Sequence, residues 1–455
     1  MNVKPRQFLS YGLEDEPGLR DSVLTAFAHL FAIAASILTA PLLLAGVIGL
    51  DSDATRYVIN ASLVVSGIAT FIQVRRFGSL GSGLLSVQGT SFAFIGPMAY
   101  AASVAPPGTG IDQLIGTLMG CSAVGGAIVI AASFFLDQLK KVFTPEVTGT
   151  TIFLLGVSLL FSAGNNILYT ISDREGARLA YTFIELGITV GTIIFLSTRP
   201  WPLARLLSLS LGLAAGFFVA FLLGDLTVNS SEEIGVFFLL APFRFPLDFD
   251  LLILFLLLPI FLVSLTETIG DITATSSVSA QPIEGPVYMD RLRGGVMADG
   301  VNTMLAAFLG AFPNTTFSQN NAVIAITGVA SRRIGLVLAI LLVLVGSIPL
   351  VSFLFTMIPG GVLHGATGFL FALIAYTGWT ISRDRAKAGV RTLIIASTCS
   401  LGLMTIPGFF GSLGINIPTY LSILLGFPVA TGTFIAIVLQ IGSLLASRNS
   451  EEFRN

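Results

Sequence analysis

The chain has 455 residues and a formal net charge of -2, with 54% hydrophobic and only 11% charged residues. Soluble proteins carry about 25% charged residues, so this composition excludes an ordinary soluble domain and indicates that lipid is the main solvent. The net charge says little about partners, but no basic region suggests nucleic-acid binding, so no nucleic-acid partner is expected.

Fourteen segments are predicted membrane spans, because a spanning helix needs roughly 20 mainly apolar residues. Residues 1–22 form a polar tail of mixed charge, unlike a cleavable signal peptide. Residues 23–223 hold seven predicted spans, which start near Val23, Tyr57, Leu84, Leu114, Val147, Leu179 and Leu203. After a polar loop at 224–250, residues 251–445 hold seven more, which start near Leu251, Val296, Asn321, Gly335, Leu363, Thr392 and Tyr420. Residues 446–455 form a C-terminal tail.

The distribution of basic residues predicts the orientation of these spans. If both tails are cytoplasmic, only four of the 23 Lys and Arg residues lie outside, namely Arg56, Arg174, Arg178 and Arg244. Cytoplasmic loops of membrane proteins carry an excess of basic residues. The pattern therefore predicts that both termini lie in the cytoplasm and that the loop at 224–250 lies outside.

The third and tenth spans are poor helices. The third, LLSVQGTSFAFIGP, is rich in Gly and Ser, and the tenth, TTFSQNNAVIAITG, pairs a run of uncharged hydrogen-bonding side chains with a short apolar half. Because seven is odd, a second seven-span unit runs inverted relative to the first. Inverted repeats with broken helices at corresponding positions are typical of transporters, which bind their substrate between them. The sequence therefore predicts an all-α polytopic membrane protein built from two inverted repeats.

Ionisable residues inside predicted spans are candidates for function, because a buried charge in a bilayer costs a few kcal/mol. Glu267 and Asp271 are four residues apart near the end of the eighth span and share one helix face. Asp299 opens the ninth span. A structural hydrogen bond to a neighbouring helix is the alternative interpretation for each carboxylate. His29, in the first span, is either a buried core histidine or part of a proton path.

Two other polar residues have simpler interpretations. Glu185 lies in the sixth span with no polar group beside it, which predicts a contact between helices. His364 follows a Gly-Gly pair and is predicted to lie at the membrane interface. The sequence shows neither zinc-ligand spacing nor a nucleophile elbow, so we expect no metal site and no enzymatic activity.

The side chains near the broken spans suit a small, planar, polar solute. The amide of Gln319 presents a donor and an acceptor side by side, which matches a ring C=O next to an N–H. A carboxylate accepts hydrogen bonds from ring N–H groups, and Phe92 can stack on a flat ring. Because Glu267 or Asp271 can change charge, the pattern also predicts proton coupling.

The segment QNNAVIAITG, Gln319 to Gly328, resembles the signature of the nucleobase–ascorbate transporter family, also called nucleobase:cation symporter-2. VQGTSF, ETIGDITATS and GVASR fit the same family, and the chain looks closest to bacterial xanthine and uric acid permeases. The resemblance implies short strands in spans 3 and 10, a core domain of spans 1–4 and 8–11, and a gate domain of spans 5–7 and 12–14. It also implies a homodimer in which the core moves like an elevator against the gate.

The resemblance assigns roles to eight residues. Glu267 and Gln319 fall on the positions that hold the base by bidentate hydrogen bonds, Phe92 on the stacking position, and Ser91 on a neighbouring position that tunes purine choice. Four residues fall on supporting positions tied to coupling and site geometry: Asp271, Asp299, Asn320 and His29. The expected function is proton-coupled import of xanthine or uric acid, with H+ as the coupling ion and no cofactor.

Two positions depart from the family pattern. Ala28 replaces the Gln of the family's Gln-His pair, and Ala322 replaces the Gly after the Asn pair of the signature. Transport of uracil, another nucleobase or ascorbate remains an alternative within the family. An anion exchanger or channel of similar inverted-repeat build is the alternative outside it, and that function predicts a basic residue at the site.

Overall fold

The computed structural model describes residues 9–106, 108–226, 235–384, 386–415 and 417–452, and it is almost entirely helical. The strands are β1 (Gln88–Thr90) and β2 (Asn314–Thr316). The helices are α1 (Leu19–Ile48), α2 (Ser52–Arg75), α3 (Ile95–Ser103), α4 (Ile111–Ser133), α5 (Leu136–Val142), α6 (Pro145–Ser172), α7 (Ala177–Ser197), α8 (Pro202–Leu206), α9 (Ser208–Leu223), α10 (Leu251–Val278), α11 (Pro286–Phe308), α12 (Gln319–Thr327), α13 (Arg332–Gly346), α14 (Pro349–Thr356), α15 (Gly360–Asp384), α16 (Ala386–Ser412), α17 (Thr419–Leu425) and α18 (Pro428–Glu452).

The helices identify a membrane protein. Within the described residues, eight helices are long and apolar enough to cross a bilayer, and ten spans result if each of two bent helix pairs counts as one. The segments predicted as spans 3, 7 and 10 contain shorter helices, and α11, predicted as span 9, is less apolar than the eight. Length and composition thus support eight to ten spans, and the count of fourteen stays a prediction.

Two of the predicted spans are sharply bent. The axes of α13 and α14 differ by 69°, and those of α17 and the first part of α18 differ by 76°. In both places a proline, Pro349 or Pro428, is the first residue of the second helix. Proline suits the first turn of a helix, where its missing N–H is not needed, and it disfavours helical backbone in the residue before it.

The two strands join distant parts of the chain. β1 and β2 pair antiparallel, with Gln88 opposite Thr316 and Thr90 opposite Asn314. Every residue of both strands is buried. At Gly89 an added Cβ would lie 2.8 Å from Cγ1 of Ile37 and 2.8 Å from the ring of Phe317. Glycine therefore allows α1 and the chain after β2 to close on the strand pair.

The helices pack in two groups. The first, called the strand group here, consists of the two strands with α1, α2, α4 and α10–α14. In it α1, α2, α10 and α11 contact the strands, α13 packs against α2, and α4 packs against α11. In the second, the helical group, α6 packs on α15, α18 on α6 and α16, and α7 on α9 and α15. Glycine pairs bring helices close in each group: Gly126 faces Gly300 between α4 and α11, and Gly149 faces Gly378 between α6 and α15.

An N-terminal segment, residues 9–17, crosses the end of the strand group before α1 begins. The N–H of Ser10 donates to the carbonyl of Gly328 (2.8 Å), and the N–H of Ala330 donates to the carbonyl of Tyr11 (2.9 Å). Arg332 also contacts the segment, because its Nη1 donates to Glu14 (3.2 Å), while its Nε donates to the carbonyl of Gly83 in the chain before β1 (2.6 Å). The segment thus braces the connection that follows α12.

Candidate functional site

A cavity of about 430 Å³ lies where the two groups meet. The strand group lines one wall with residues from the turn after β1, the middle of α10, and the stretch from β2 into α12. The helical group lines the other wall with α6 and α15. The cavity brings together five of the eight predicted site residues: Ser91, Phe92, Glu267, Asp271 and Gln319.

The two cavity carboxylates differ in their hydrogen bonding. Glu267 and Asp271 lie one turn apart on α10 and are both half-buried. Asp271 is held, because Oγ1 of Thr316 donates to its Oδ2 across 3.0 Å. The Glu267 side chain accepts no hydrogen bond from the described part of the chain. Glu267 is therefore the carboxylate that remains available to a bound solute.

Gln319 is available in the same way. It is the first residue of α12, and its side-chain amide makes no hydrogen bond with the residues that the structure describes. The start of a helix carries unpaired backbone N–H groups and a partial positive charge. An amide with a free donor and a free acceptor thus lies at the positive end of a helix, in the same cavity as a free carboxylate.

The position of Phe92 depends on Ser91. The N–H of Ser91 donates to the carbonyl of Pro313 (2.9 Å), which ties the end of β1 to the residue before β2. The Oγ of Ser91 accepts from the N–H of Ala93 (3.3 Å) and so begins the 3₁₀ turn Phe92–Phe94. Ser91 is buried, whereas Phe92 is only half-buried and lines the cavity. The Ser91 contacts therefore set the direction in which the Phe92 ring projects.

Asp299 does not line the cavity. It is 2% exposed in α11, and its Oδ2 accepts from Oγ1 of Thr268 (3.0 Å). Thr268 also lies 3.5 Å from Oγ1 of Thr315, a residue of the cavity wall. One hydroxyl therefore separates Asp299 from the wall. Its other oxygen, Oδ1, has no hydrogen-bond partner among the described residues.

Asn320 and His29 also lie outside the cavity. The Nδ2 of Asn320 donates to the carbonyl of Leu85 (2.5 Å), linking α12 to the chain before β1. His29 in α1 is fully buried, and Asn320 is its polar neighbour. Neither ring nitrogen of His29 has a hydrogen-bond partner within the described residues. Both residues therefore lie outside the cavity lining, and of the two only Asn320 forms a hydrogen bond to backbone within the described residues.

The sequence analysis did not predict the residues of the helical group that line the cavity. Oγ1 of Thr148 on α6 donates to Oγ1 of Thr266 on α10 across 3.3 Å, so a direct hydrogen bond joins the two groups at the cavity. The α15 side contributes mostly apolar residues: Leu370, Leu373, Ile374, Thr377 and Ile381. In the sequence these residues look like those of any membrane span, and nothing in their pattern indicates that they line a cavity.

The cavity's chemistry is acidic and neutral. Its lining contains two carboxylates, an amide and several hydroxyls, and no basic side chain among the described residues. No group of three or more His, Cys, Asp and Glu in the described ranges has a geometry that could hold a metal ion. The arrangement suits hydrogen bonding to a small polar solute that has ring N–H and C=O groups.

Comparison with known proteins identifies the family. A sequence model described as Permease family, Xan_ur_permease, matches residues 20–409. The chain belongs to this family, the nucleobase–ascorbate transporters. Its membership makes it a transporter and not an enzyme.

Named permeases align with nearly the whole chain. The Escherichia coli K12 xanthine permease XanQ is 34% identical over 444 residues, which cover 95% of this chain and 93% of XanQ. The xanthine permease XanP of the same organism is 34% identical over 447 residues, covering 95% and 94%. A purine permease of the fungus Emericella nidulans is 32% identical over 440 residues, covering 88% and 76%.

Solved structures share the fold of this family member. The transmembrane domain of the cyanobacterial bicarbonate transporter BicA superposes with a TM-score of 0.60 at 15% identity, covering 94% of this chain and 100% of BicA. SLC26A9 superposes with a TM-score of 0.58 at 11% identity, covering 93% and 66%. At these identities the likeness concerns the fold alone.

Proposed function

We propose that the chain imports an oxidised purine, xanthine or uric acid, in symport with protons. The observation that carries the proposal is the meeting of Glu267 and Gln319, both without an internal hydrogen-bond partner among the described residues, in one cavity with Phe92. A carboxylate accepts from ring N–H groups, and an amide pairs with an adjacent C=O and N–H. The names of XanQ and XanP support the same solute class.

The remaining predicted residues have supporting roles in this proposal. Phe92 stacks on the purine ring, and Ser91 positions it. Asp271, held by Thr316, and Asp299, held by Thr268, serve proton coupling next to Glu267. Asn320 and His29 keep the backbone around β1 and α12 in place. H+ is the coupling ion, and the proposal needs no cofactor or metal.

The motion in this proposal is an elevator movement of a core domain against a gate domain. The strand group corresponds to the core and the helical group to the gate, and the cavity lies between them. The two strands lie at corresponding places in the proposed inverted repeats, residues 23–223 and 251–445, which are separated by the outer loop 224–250. The proposal includes fourteen spans, two cytoplasmic termini with tails 1–22 and 446–455, a homodimer and the plasma membrane, in bacteria the inner membrane.

Anion exchange is the alternative that the fold likeness to a bicarbonate transporter raises. An anion site needs a positive charge, and the described residues lining this cavity supply two carboxylates and no cation. Helix starts near the cavity provide only partial positive charge. Uracil or another nucleobase, which also presents ring N–H and C=O groups, is the nearer alternative.

The test is uptake of radiolabelled xanthine by cells that express the chain. We expect uptake that a proton uncoupler abolishes and that excess uric acid inhibits more strongly than uracil, ascorbate or bicarbonate. Glu267→Gln keeps the size of the side chain but removes its charge, and we expect it to abolish uptake. The matched control is Glu284→Gln, which changes an exposed carboxylate after α10, outside the cavity lining.

Several outcomes would contradict the proposal. If well-expressed protein takes up no xanthine, xanthine is not the substrate. If uracil inhibits uptake more strongly than uric acid does, uracil becomes the proposed substrate. Uptake that survives the uncoupler but needs Na+ rejects proton coupling. Full uptake by Glu267→Gln rejects the carboxylate as the binding group.

A further inference from the structure

A second buried carboxyl group lies on α7 in the helical group, away from the cavity. Glu185 is 0% exposed, and Thr182 and Thr189 lie on the same helix face and are equally buried. The start of α15 closes over this face. A Cβ added to Gly361 would lie 2.7 Å from Oε2 of Glu185 and 2.9 Å from the carbonyl of Thr182. The carboxyl group of Glu185 is therefore enclosed by α7 and α15.

An ion pair lies directly beside this carboxyl group. Arg174, in the connection between α6 and α7, forms a salt bridge with Asp225, which follows the end of α9. Arg174 also donates to Oγ1 of Thr182 across 3.2 Å. The side chain of Asp225 is only 8% exposed and lies beside the carboxyl group of Glu185. Two carboxyl groups thus lie close to one guanidinium group, which forms its salt bridge with Asp225.

The carboxyl group of Glu185 has no hydrogen-bond donor among the described residues. Neither Oε1 nor Oε2 accepts a hydrogen bond from any donor among the described residues. An ionised carboxylate in this position would be buried without a donor and would face the negative charge of Asp225. With a proton on Glu185, its O–H donates to Asp225, which still pairs with Arg174. The three side chains then carry no net charge, and the Asp225 carboxylate is paired on both sides.

We propose that Glu185 is a proton-binding site of the helical group, separate from the transport cavity, in which the bound proton joins Glu185 to the Asp225–Arg174 pair. The proton enters from water at the end of the helical group where Arg174 and Asp225 lie in connections between helices. Its presence holds together α7, the end of α9 and the start of α15. The sequence interpretation of Glu185 as a plain interhelical contact is thereby refined: its partners come from connections 11 and 40 positions away in the chain.

Other ionisable groups near this site are few. On α15, His364 lies one turn after Gly360, and a Cβ at Gly360 would lie 3.5 Å from its ring. Its Nδ1 is buried without a partner in the described residues. Arg174 faces Glu185 from the α6–α7 connection, and Asp225 faces it from the end of α9. A His364→Asn variant separates any titration of this ring from that of Glu185.

Thermal unfolding of the purified full-length protein at a series of pH values tests the proposal. A group that binds its proton more tightly in the folded state stabilises the fold at low pH, and the stabilisation is lost as pH rises. We expect the melting temperature of the wild type to fall as pH rises above neutral. Glu185→Gln keeps a donor toward Asp225 without a titratable proton, so its melting temperature should match the wild type at low pH and decline less as pH rises. His364→Asn should retain the wild-type decline.

Infrared difference spectra provide a second readout that needs no stability change. The spectrum of wild type minus Glu185→Gln at neutral pH should contain a protonated-carboxyl C=O band, and the band should shift in D2O. A carboxylate band in its place means that Glu185 is ionised and overturns the proposal. An unchanged pH dependence of melting in Glu185→Gln overturns it as well. Neither readout depends on the transported solute, so the result is independent of the proposed function.

Discussion

Oγ1 of Thr316 donates a hydrogen bond of 3.0 Å to Oδ2 of Asp271, and this contact joins β2 to α10 at the wall of the cavity. The bond occupies one of the two cavity carboxylates, whereas the other, Glu267, has no hydrogen-bond partner among the described residues. The two acids are therefore distinguished by a single hydroxyl group, although they lie one turn apart on the same helix.

Replacement of that hydroxyl tests its role. In Thr316→Val the side chain keeps its shape, but Asp271 loses its donor. Hydrogen bonds to charged groups are worth about 1.5–3 kcal/mol, so we expect the initial rate of xanthine uptake to fall about tenfold or more at equal expression. Thr316→Ser restores the donor and should restore most of the rate. Wild-type uptake by Thr316→Val would show that the bond has no functional role.

Stacking by Phe92 predicts a change in affinity more than in turnover. Aromatic stacking contributes about 0.5–1.5 kcal/mol beyond burial, so Phe92→Leu should raise the KM for xanthine roughly 2- to 10-fold with little change in maximal rate. Phe92→Tyr keeps the ring and should stay near the wild type. The measurement is the concentration dependence of initial uptake. A fall in maximal rate at constant KM would contradict stacking as the role of this ring.

Gly89 predicts a packing effect on stability. A methyl group at this position would lie 2.8 Å from Cγ1 of Ile37 and from the Phe317 ring. Overpacking of this kind costs about 1–3 kcal/mol, so Gly89→Ala should lower the melting temperature of the purified protein by several degrees. Gly402→Ala is the control, because no atom lies within 4 Å of a Cβ at that exposed helical position. Equal melting temperatures for the two variants would contradict the close packing.

The contacts around the N-terminal segment predict that two neighbouring arginines, Arg332 and Arg333, contribute differently to stability. Arg332 donates through Nε to the carbonyl of Gly83 and through Nη1 to Glu14. Arg333 has, within the described part of the chain, an exposed side-chain contact of 3.6 Å with Glu16. Lysine keeps the charge but loses the planar fork of donors. Arg332→Lys should therefore lower the melting temperature. Arg333→Lys should change the free energy of unfolding by less than about 1 kcal/mol and so leave the melting temperature close to that of the wild type. A larger loss of melting temperature in Arg333→Lys than in Arg332→Lys would show that the hydrogen bond from Arg332 to Gly83 does not contribute to stability.

The broken regions were predictable because polar and small residues interrupt apolar spans there. Gln88 and Gln319 stand in segments that no regular spanning helix would accept, and these segments contain the two strands and the short helix α12. The pairing register of Gln88 with Thr316 was not predictable, since three-residue strands without alternating hydrophobicity specify register only weakly.

A proline in the sequence marks each helix bend, although the average hydropathy of the whole span does not reveal the bend. Pro349 and Pro428 each begin a second helix within a stretch predicted as one span. The surroundings of Glu185 carried no such signal. Arg174 and Asp225 look like ordinary loop charges in the sequence, and only the folding of α7 against α9 and α15 brings them to Glu185.

The strand pair also constrains how the protein is made. Asn320 bonds to Leu85, 235 residues earlier in the chain, and β2 pairs with β1 across a similar interval. A ribosome that adds about 5–20 residues per second needs roughly 10 to 50 s to span that interval. During that time the backbone of β1 has no strand partner, although unpaired N–H and C=O groups are strongly disfavoured in lipid. Until β2 arrives, other parts of the protein must cover β1, and α1 and α2 of the first half already pack against it. The cavity is complete only after β2 and the start of α12 have been made.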